Sequence, residues 1–224
     1  MTTDSQASSS PLDKELEYAV FSVGSYWRAD VSFGRIPGVI KTWVGLATGE
    51  NLGPVEAVEL WFHPKRVSYH ALVRWFWDSI NPQKLSENQR YQPAIFTTDE
   101  KQFKVAQRSV VEMEFKYKKE LSALVQPLTD FDAAPLENQK YYLQNNPKVL
   151  AAIQPLFSDP ETLLNSTAAA RINSFLGGGA TLDDLQQQWA TVAALPGEPG
   201  ELQSFLADLE KLTQQAGNPE NRDD

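Results

Sequence analysis

The sequence predicts an α+β protein with a two-layer, ferredoxin-like core followed by an α-helical C-terminal extension. Three observations carry that prediction. Up to Leu128, short alternating apolar runs interleave with segments of helical periodicity in the order β-α-β-β-α-β-α-β. The junctions are marked by turn residues, among them Gly24, Gly38, the run Thr48 to Pro54, and Asn81-Pro82. Beyond Pro135 the strand texture disappears, and helical stretches separated by Pro and Gly take over.

In order, Glu17 to Val23 alternates as a buried strand, with Ala19, Phe21 and Val23 on one side and Tyr18 and Val20 on the other. Gly24 turns the backbone, and Ser25 stands where a helix begins, with Trp27, Val31 and Ile36 as inward positions. Gly38 ends that segment and Val39 to Ala47 forms a second strand. The third runs from Val55 to Phe62, with Val58, Leu60 and Phe62 sharing a face, so the two read as a hairpin. Ser68 caps a helix whose Leu72, Val73, Phe76, Trp77 and Ile80 recur at core-facing spacing until Asn81-Pro82 stops it. A fourth strand, Ala94 to Thr97, precedes a long charged helix from Asp99 to Lys119, and Leu121 to Leu128 is expected as the last strand. Helices are then expected over Glu137–Asn145, Pro147–Phe157, Pro160–Leu176, Leu182–Ala194 and Pro199–Gln215, with Gly177-Gly178-Gly179 as one separator. The organisation expected is a disordered leader at 1–14, a domain at 15–145, a helical extension at 146–216 and a disordered tail at 217–224.

Composition narrows the function classes. The formal charge is −9, and it is unevenly placed: residues 1–136 hold 15 basic and 17 acidic residues, whereas 137–224 hold 5 and 12. A near-neutral body with an acidic tail lacks the basic footprint of a nucleic-acid or anionic-membrane binder. No apolar run reaches the ~20 residues that span a bilayer, and Met1 to Leu12 has neither a basic n-region nor an apolar h-region. These features predict a cytoplasmic protein. With no cysteine, disulfides, thiolate metal sites and thiol catalysis are excluded. His63 and His70 cannot assemble a zinc site between them and read as surface residues, so no cofactor and no metal are expected.

A serine at a strand–turn–helix junction is either a helix cap or a nucleophile placed among free backbone N–H groups. Its neighbours point further. Gly24-Ser25-Tyr26-Trp27, then Pro37-Gly38-Val39, Trp43-Val44-Gly45, Gly53-Pro54-Val55-Glu56 and Ala57-Val58-Glu59 follow one another in order. They continue through Pro64, Ser68-Tyr69, Phe76-Trp77, Asn81-Pro82, Gln89-Arg90-Tyr91, Ala94-Ile95-Phe96 and Tyr141-Tyr142-Leu143. Over residues 15–145 this series resembles the methionine sulfoxide reductase A family, whose corresponding motifs include Gly-Cys-Phe-Trp and Gly-His-Ala-Glu. The resemblance implies that Ser25 stands in the place of the nucleophilic cysteine, that Tyr26 and Trp27 cage the substrate methyl group, that Glu56 is the proton donor and that Tyr91 hydrogen-bonds the oxygen. Departures accumulate around these positions. Ser86 replaces an aspartate beside Glu87, Pro54-Val55 replaces His-Ala, and the segment between Gly45 and Gly53 is short, leaving a substrate-loop tyrosine without a counterpart.

The chemistry of Ser25 follows from redox arithmetic. Sulfoxide reduction needs two electrons, which a thiol supplies by becoming a sulfenic acid or a disulfide; a hydroxyl has no such ladder. Glu56 interrupts an apolar strand and reads either as a buried acid or as an outward carboxylate. Three functions are therefore weighed. The first is a catalytically impaired relative that binds methionine S-sulfoxide in peptides or proteins; the second is a scaffold whose acidic helical extension binds a protein partner. The third is the peptide-methionine (S)-S-oxide reductase that the family would imply.

Overall fold

The structure, a computed structural model, describes residues 15–82, 84, 86–121, 124–195 and 198–214. The expected leader at 1–14 and tail at 217–224 lie outside the described residues. Five strands, β1 (Glu17–Ser22), β2 (Val39–Gly49), β3 (Leu52–Phe62), β4 (Ala94–Thr97) and β5 (Val125–Ala133), make one sheet in the order β1-β3-β2-β5-β4. The sheet closes, because β1 pairs antiparallel with β3 on one side and with β4 on the other. Only β4 and β5 run parallel. The longest pairing is the β2–β3 hairpin, in which Val44 faces Val58 and Leu46 faces Glu56.

Alternation decides which side chains go where. Ala19, Phe21, Val58, Leu60 and Phe62 point to the face covered by helices α1 (Tyr26–Gly34), α2 (Tyr69–Ser79) and α3 (Glu100–Tyr117). Their intermediate neighbours Val20, Ala47, Val55, Ala57, Ala94 and Phe96 form a smaller apolar cluster on the opposite face, and three alanines keep it narrow enough for the sheet to close. Helix α2 begins as the sequence predicts: the Ser68 hydroxyl accepts from the Ala71 N–H at 3.2 Å. Phe76 and Trp77 are core residues, and the Trp77 indole donates to the Ser109 hydroxyl at 2.9 Å.

Several expectations need correction. The last strand lies at Val125–Ala133 rather than Leu121–Leu128, because backbone pairing to Gly45–Gly49 of β2 selects the register while Leu121 drops into the core at the end of the α3 connection. Ser122 and Ala123, inside the expected strand, lie outside the described residues. The expected helix Glu137–Asn145 is interrupted: only α4 (Tyr141–Gln144) is α-helical, after a short 3-10 turn at Leu136–Asn138. Gln139 breaks it by turning inward, where its side chain accepts from the Val44 N–H at 2.8 Å and donates to the Val44 carbonyl at 2.9 Å, imitating a strand partner. The expected helix Pro160–Leu176 is two, α6 (Pro160–Leu164) and α7 (Thr167–Leu176), since Ser166 caps the second by accepting from the Ala169 N–H. His63, read as a surface residue, is largely enclosed, with its side chain 14% exposed and Nε2 3.5 Å from Glu15.

The remaining helices, α5 (Pro147–Ile153), α8 (Leu182–Ala193) and α9 (Leu202–Gln214), gather around α7 in a second apolar cluster that includes Leu143, Ile172, Trp189 and Phe205. Helix α7 joins the two clusters, and its residues from Thr167 to Ser174 are all buried. It approaches α1 closely at Gly34, where a Cβ would lie 2.7 Å from Ser174 Oγ and 2.9 Å from the Ala170 carbonyl. Where α1 meets α7, a buried polar knot ties the helices to the sheet. Asp30 of α1 accepts from Thr42 Oγ1 at 2.5 Å and from Asn173 Nδ2 at 3.0 Å, and lies 3.4 Å from the Lys140 ammonium. Lys140 donates to the Thr42 carbonyl at 2.7 Å and is wholly enclosed, so desolvation lowers its pKa below the ordinary lysine value against the pull of Asp30.

Candidate functional site at the start of helix α1

Gly24 has φ of +109°, a left-handed turn that a side chain would strain, and it delivers the chain from β1 directly into α1. Ser25 is the N-cap residue, yet its side chain makes no capping bond. The N-terminal amide of α1 is satisfied instead by a carboxylate from β3: the Tyr26 N–H donates to Glu56 Oε2 at 3.0 Å. The other oxygen, Oε1, accepts from Arg90 Nε at 2.8 Å. Glu56 is thus a buried acid, 6% exposed, and the outward-facing alternative does not hold. Each carboxylate oxygen thus accepts one hydrogen bond, the second of them from a cation. The reciprocal effect is on Arg90, whose pKa is raised above its ordinary value chiefly by the hydrogen bond to Glu56. Burial, followed by the Glu56 charge, raises the Tyr26 phenol above its ordinary value.

Tyr26 and Trp27 meet edge-to-face with ring centroids 5.5 Å apart. Trp27 is fixed from behind: it stacks on Tyr141 at 3.9 Å and its indole N–H donates to the Asn138 carbonyl at 3.1 Å. The segment after β5 therefore closes one side of the site. Tyr91 sits on another side, 37% exposed, beside Arg90 in the 3-10 turn Gln89–Tyr91. It lines a cleft of about 580 Å³ together with Gly24, Arg28, Ser86 and Glu87.

The structure therefore gathers Ser25, Tyr26, Trp27 and Glu56 at one helix end and puts Tyr91 on the rim. It does not link the Ser25 hydroxyl to Glu56 or Tyr91 by a hydrogen bond among the described residues. Two contributors are not singled out by sequence reasoning, Arg90 and Tyr141. Both lie inside motifs already quoted, Gln89-Arg90-Tyr91 and Tyr141-Tyr142-Leu143, so a cation next to the rim tyrosine and a ring near the chain's closing motif were the available signals. Among the described residues, no group of three or more His, Asp or Glu side chains is arranged to hold a metal ion.

The family model described as "Peptide methionine sulfoxide reductase" matches residues 17–165. The chain belongs to this family. It is 34% identical over 173 residues to peptide methionine sulfoxide reductase A5 of Oryza sativa subsp. japonica, covering 71% of this chain and 67% of that protein. It is 27% identical over 177 residues to the protein of the same name from Arabidopsis thaliana, covering 73% and 69%. Among solved structures, the crystal structure of Mxr1 from Saccharomyces cerevisiae in reduced form superposes with a TM-score of 0.51 at 17% identity, over 62% of this chain and 89% of that one, a likeness of fold. The α+β fold with added C-terminal helices is thus that of the peptide methionine sulfoxide reductases. No helix among the described residues is long and apolar enough to cross a membrane.

Proposed function

We propose that this member of the peptide methionine sulfoxide reductase family binds methionine S-sulfoxide in peptides or proteins and does not reduce it. The observation that carries this reading is the residue at the N-cap of α1. Ser25 offers a hydroxyl there in a chain without cysteine, while Glu56, which the resemblance makes the proton donor, is positioned beside it by the Tyr26 N–H and Arg90. A nucleophile without a two-electron ladder leaves recognition without turnover.

The recognition chemistry is supported by the same geometry. The edge-to-face pair of Tyr26 and Trp27, braced by Tyr141, offers an apolar corner for the methyl group. A sulfoxide oxygen is a strong acceptor, and Arg90, Tyr91 and the Ser25 hydroxyl supply donors around it. In this reading residues 15–145 form the binding domain, 146–216 the extension, and the protein works in the cytoplasm.

The test is calorimetric titration of the full chain with a short peptide carrying methionine S-sulfoxide, its R epimer and the unoxidised parent. Stereoselective binding of the S epimer, with no thiol-dependent loss of sulfoxide, is the expected result. Equal binding of the two epimers, or no binding, would overturn the reading, and so would turnover by the cysteine-free chain.

A further inference from the structure

The C-terminal helices and the start of β2 line a second, half-open cavity of about 510 Å³, away from the α1 N-terminus. Its walls come from the turn Pro37-Gly38 and the start of β2, from Thr167 and Arg171 of α7, and from Gln187, Gln188 and Thr191 of α8, with Arg66 among the lining residues. The α7 and α8 walls lie beyond residue 165, where the match to the family model ends.

The two charged side chains lining this cavity, Arg66 and Arg171, are both cations, in a chain of formal charge −9. Arg171 is only 4% exposed, and its guanidinium is held by neutral acceptors. Nε donates to Gln188 Oε1 at 3.0 Å, Nη1 donates to the Gly34 carbonyl, and Nη2 donates to the Ile36 and Val39 carbonyls at 2.9 and 2.7 Å. A guanidinium carries five N–H groups, so these four bonds leave one N–H on Nη1 without an acceptor among the described residues. Neither arginine forms an ion pair there. The acid nearest in effect, Glu198, turns Oε1 to the Thr167 and Ala168 N–H groups at 2.6 and 3.2 Å instead. Glu198 acts on this buried cation only without direct pairing, so an anion that accepts the remaining Nη1 N–H would give it a direct charged partner.

We propose that this cavity is a binding site for a small organic anion, a carboxylate or a phosphate ester, seated between Arg171 at its base and Arg66. The volume falls within the range of small-molecule sites and exceeds what a bare inorganic ion needs. The Gln187 amide and the Thr191 hydroxyl supply the neutral polar lining such a ligand uses for orientation, while Gln188 is held by Arg171 and the Arg35 carbonyl.

The experiment is thermal unfolding of the full chain at pH 7.5 with citrate, glycerol 2-phosphate or sodium chloride at equal ionic strength. Arg66→Glu and Gln187→Glu are measured beside it, both at exposed positions, with far-UV circular dichroism to confirm folding. Citrate or the phosphate ester is expected to raise Tm saturably, by about 3 °C at ten times the half-saturating concentration. At least one folded variant is expected to need ten times more anion for the same rise. A response to citrate alone assigns the site to carboxylates, and a response to the ester alone to phosphates. No rise beyond that of chloride, or a rise unchanged in both variants, would overturn the proposal.

Discussion

Replacing Lys140 by Met should be among the most damaging single changes available in this protein, and the structure sets its size. The ammonium is wholly enclosed, 3.4 Å from Asp30 and 2.7 Å from the Thr42 carbonyl. Methionine keeps most of the apolar stem but leaves the Asp30 carboxylate buried, with Thr42 and Asn173 as its remaining donors. Breaking one partner out of a buried pair costs about 3–5 kcal/mol, and the two surviving donors place Lys140→Met near the lower end. Asp30→Asn combined with Lys140→Met removes both charges and keeps groups able to pair with Thr42 and Asn173, so the double variant should cost about 1–2 kcal/mol. The cycle should therefore give a coupling of at least about 2 kcal/mol. Urea unfolding at pH 7, followed by far-UV circular dichroism, reads this as a midpoint shift of about 1 M or more at unchanged slope. A cost below about 1 kcal/mol for Lys140→Met, or single costs that simply add, would refute the account of the knot as a coupled buried pair.

Three further outcomes are expected. Ser25→Cys should confer dithiothreitol-dependent turnover of the S-sulfoxide peptide where the parent has none, and adding Glu56→Gln should lower that rate by about 100-fold or more, whereas an equal rate would remove Glu56 from proton delivery. Burial pushes the Glu198 carboxyl up to about 6, so ionising it costs more in the folded than in the unfolded chain. Stability should accordingly fall as pH rises from about 4.5 through 6 and level off above, by roughly 2 kcal/mol in all, a slope missing from Glu198→Gln when urea midpoints are compared across that range. Gly34→Ala gains about 1 kcal/mol of intrinsic helix preference, yet its Cβ meets the Ala170 carbonyl at 2.9 Å and Ser174 Oγ at 2.7 Å, so a net fall in Tm is expected and a rise would show that α7 can retreat.

The local pattern was enough to place most elements. Period-2 alternation in Glu17 to Val23 and Val55 to Phe62 identified the faces that meet the helices, because a strand's side chains alternate whatever it pairs with. The Ser68 cap and the Asn81-Pro82 stop were equally readable, since both act within one helical turn. The last strand was misplaced because β5 takes its register from β2, a partner some eighty residues earlier, and its exposed Thr129, Asp130 and Asp132 carry little apolar signal. The helix expected at Glu137–Asn145 failed for a related reason: Gln139 and Lys140, polar residues on paper, spend their side chains on Val44, Asp30 and Thr42 in the interior.

The same division runs through the site. Sequence alone fixed which residues stand at the turn and helix start, Gly24 to Trp27, and that no thiol exists anywhere in the chain, so the limit on redox chemistry follows from composition. The order of the motifs also sufficed to assign the family. Only the tertiary structure decided what Glu56 pairs with, because its partners come from α1, thirty residues before it, and from the turn at Arg90, thirty-four after it. Which donors a buried carboxylate meets depends on what is folded against it, and those are long-range contacts that no local pattern encodes.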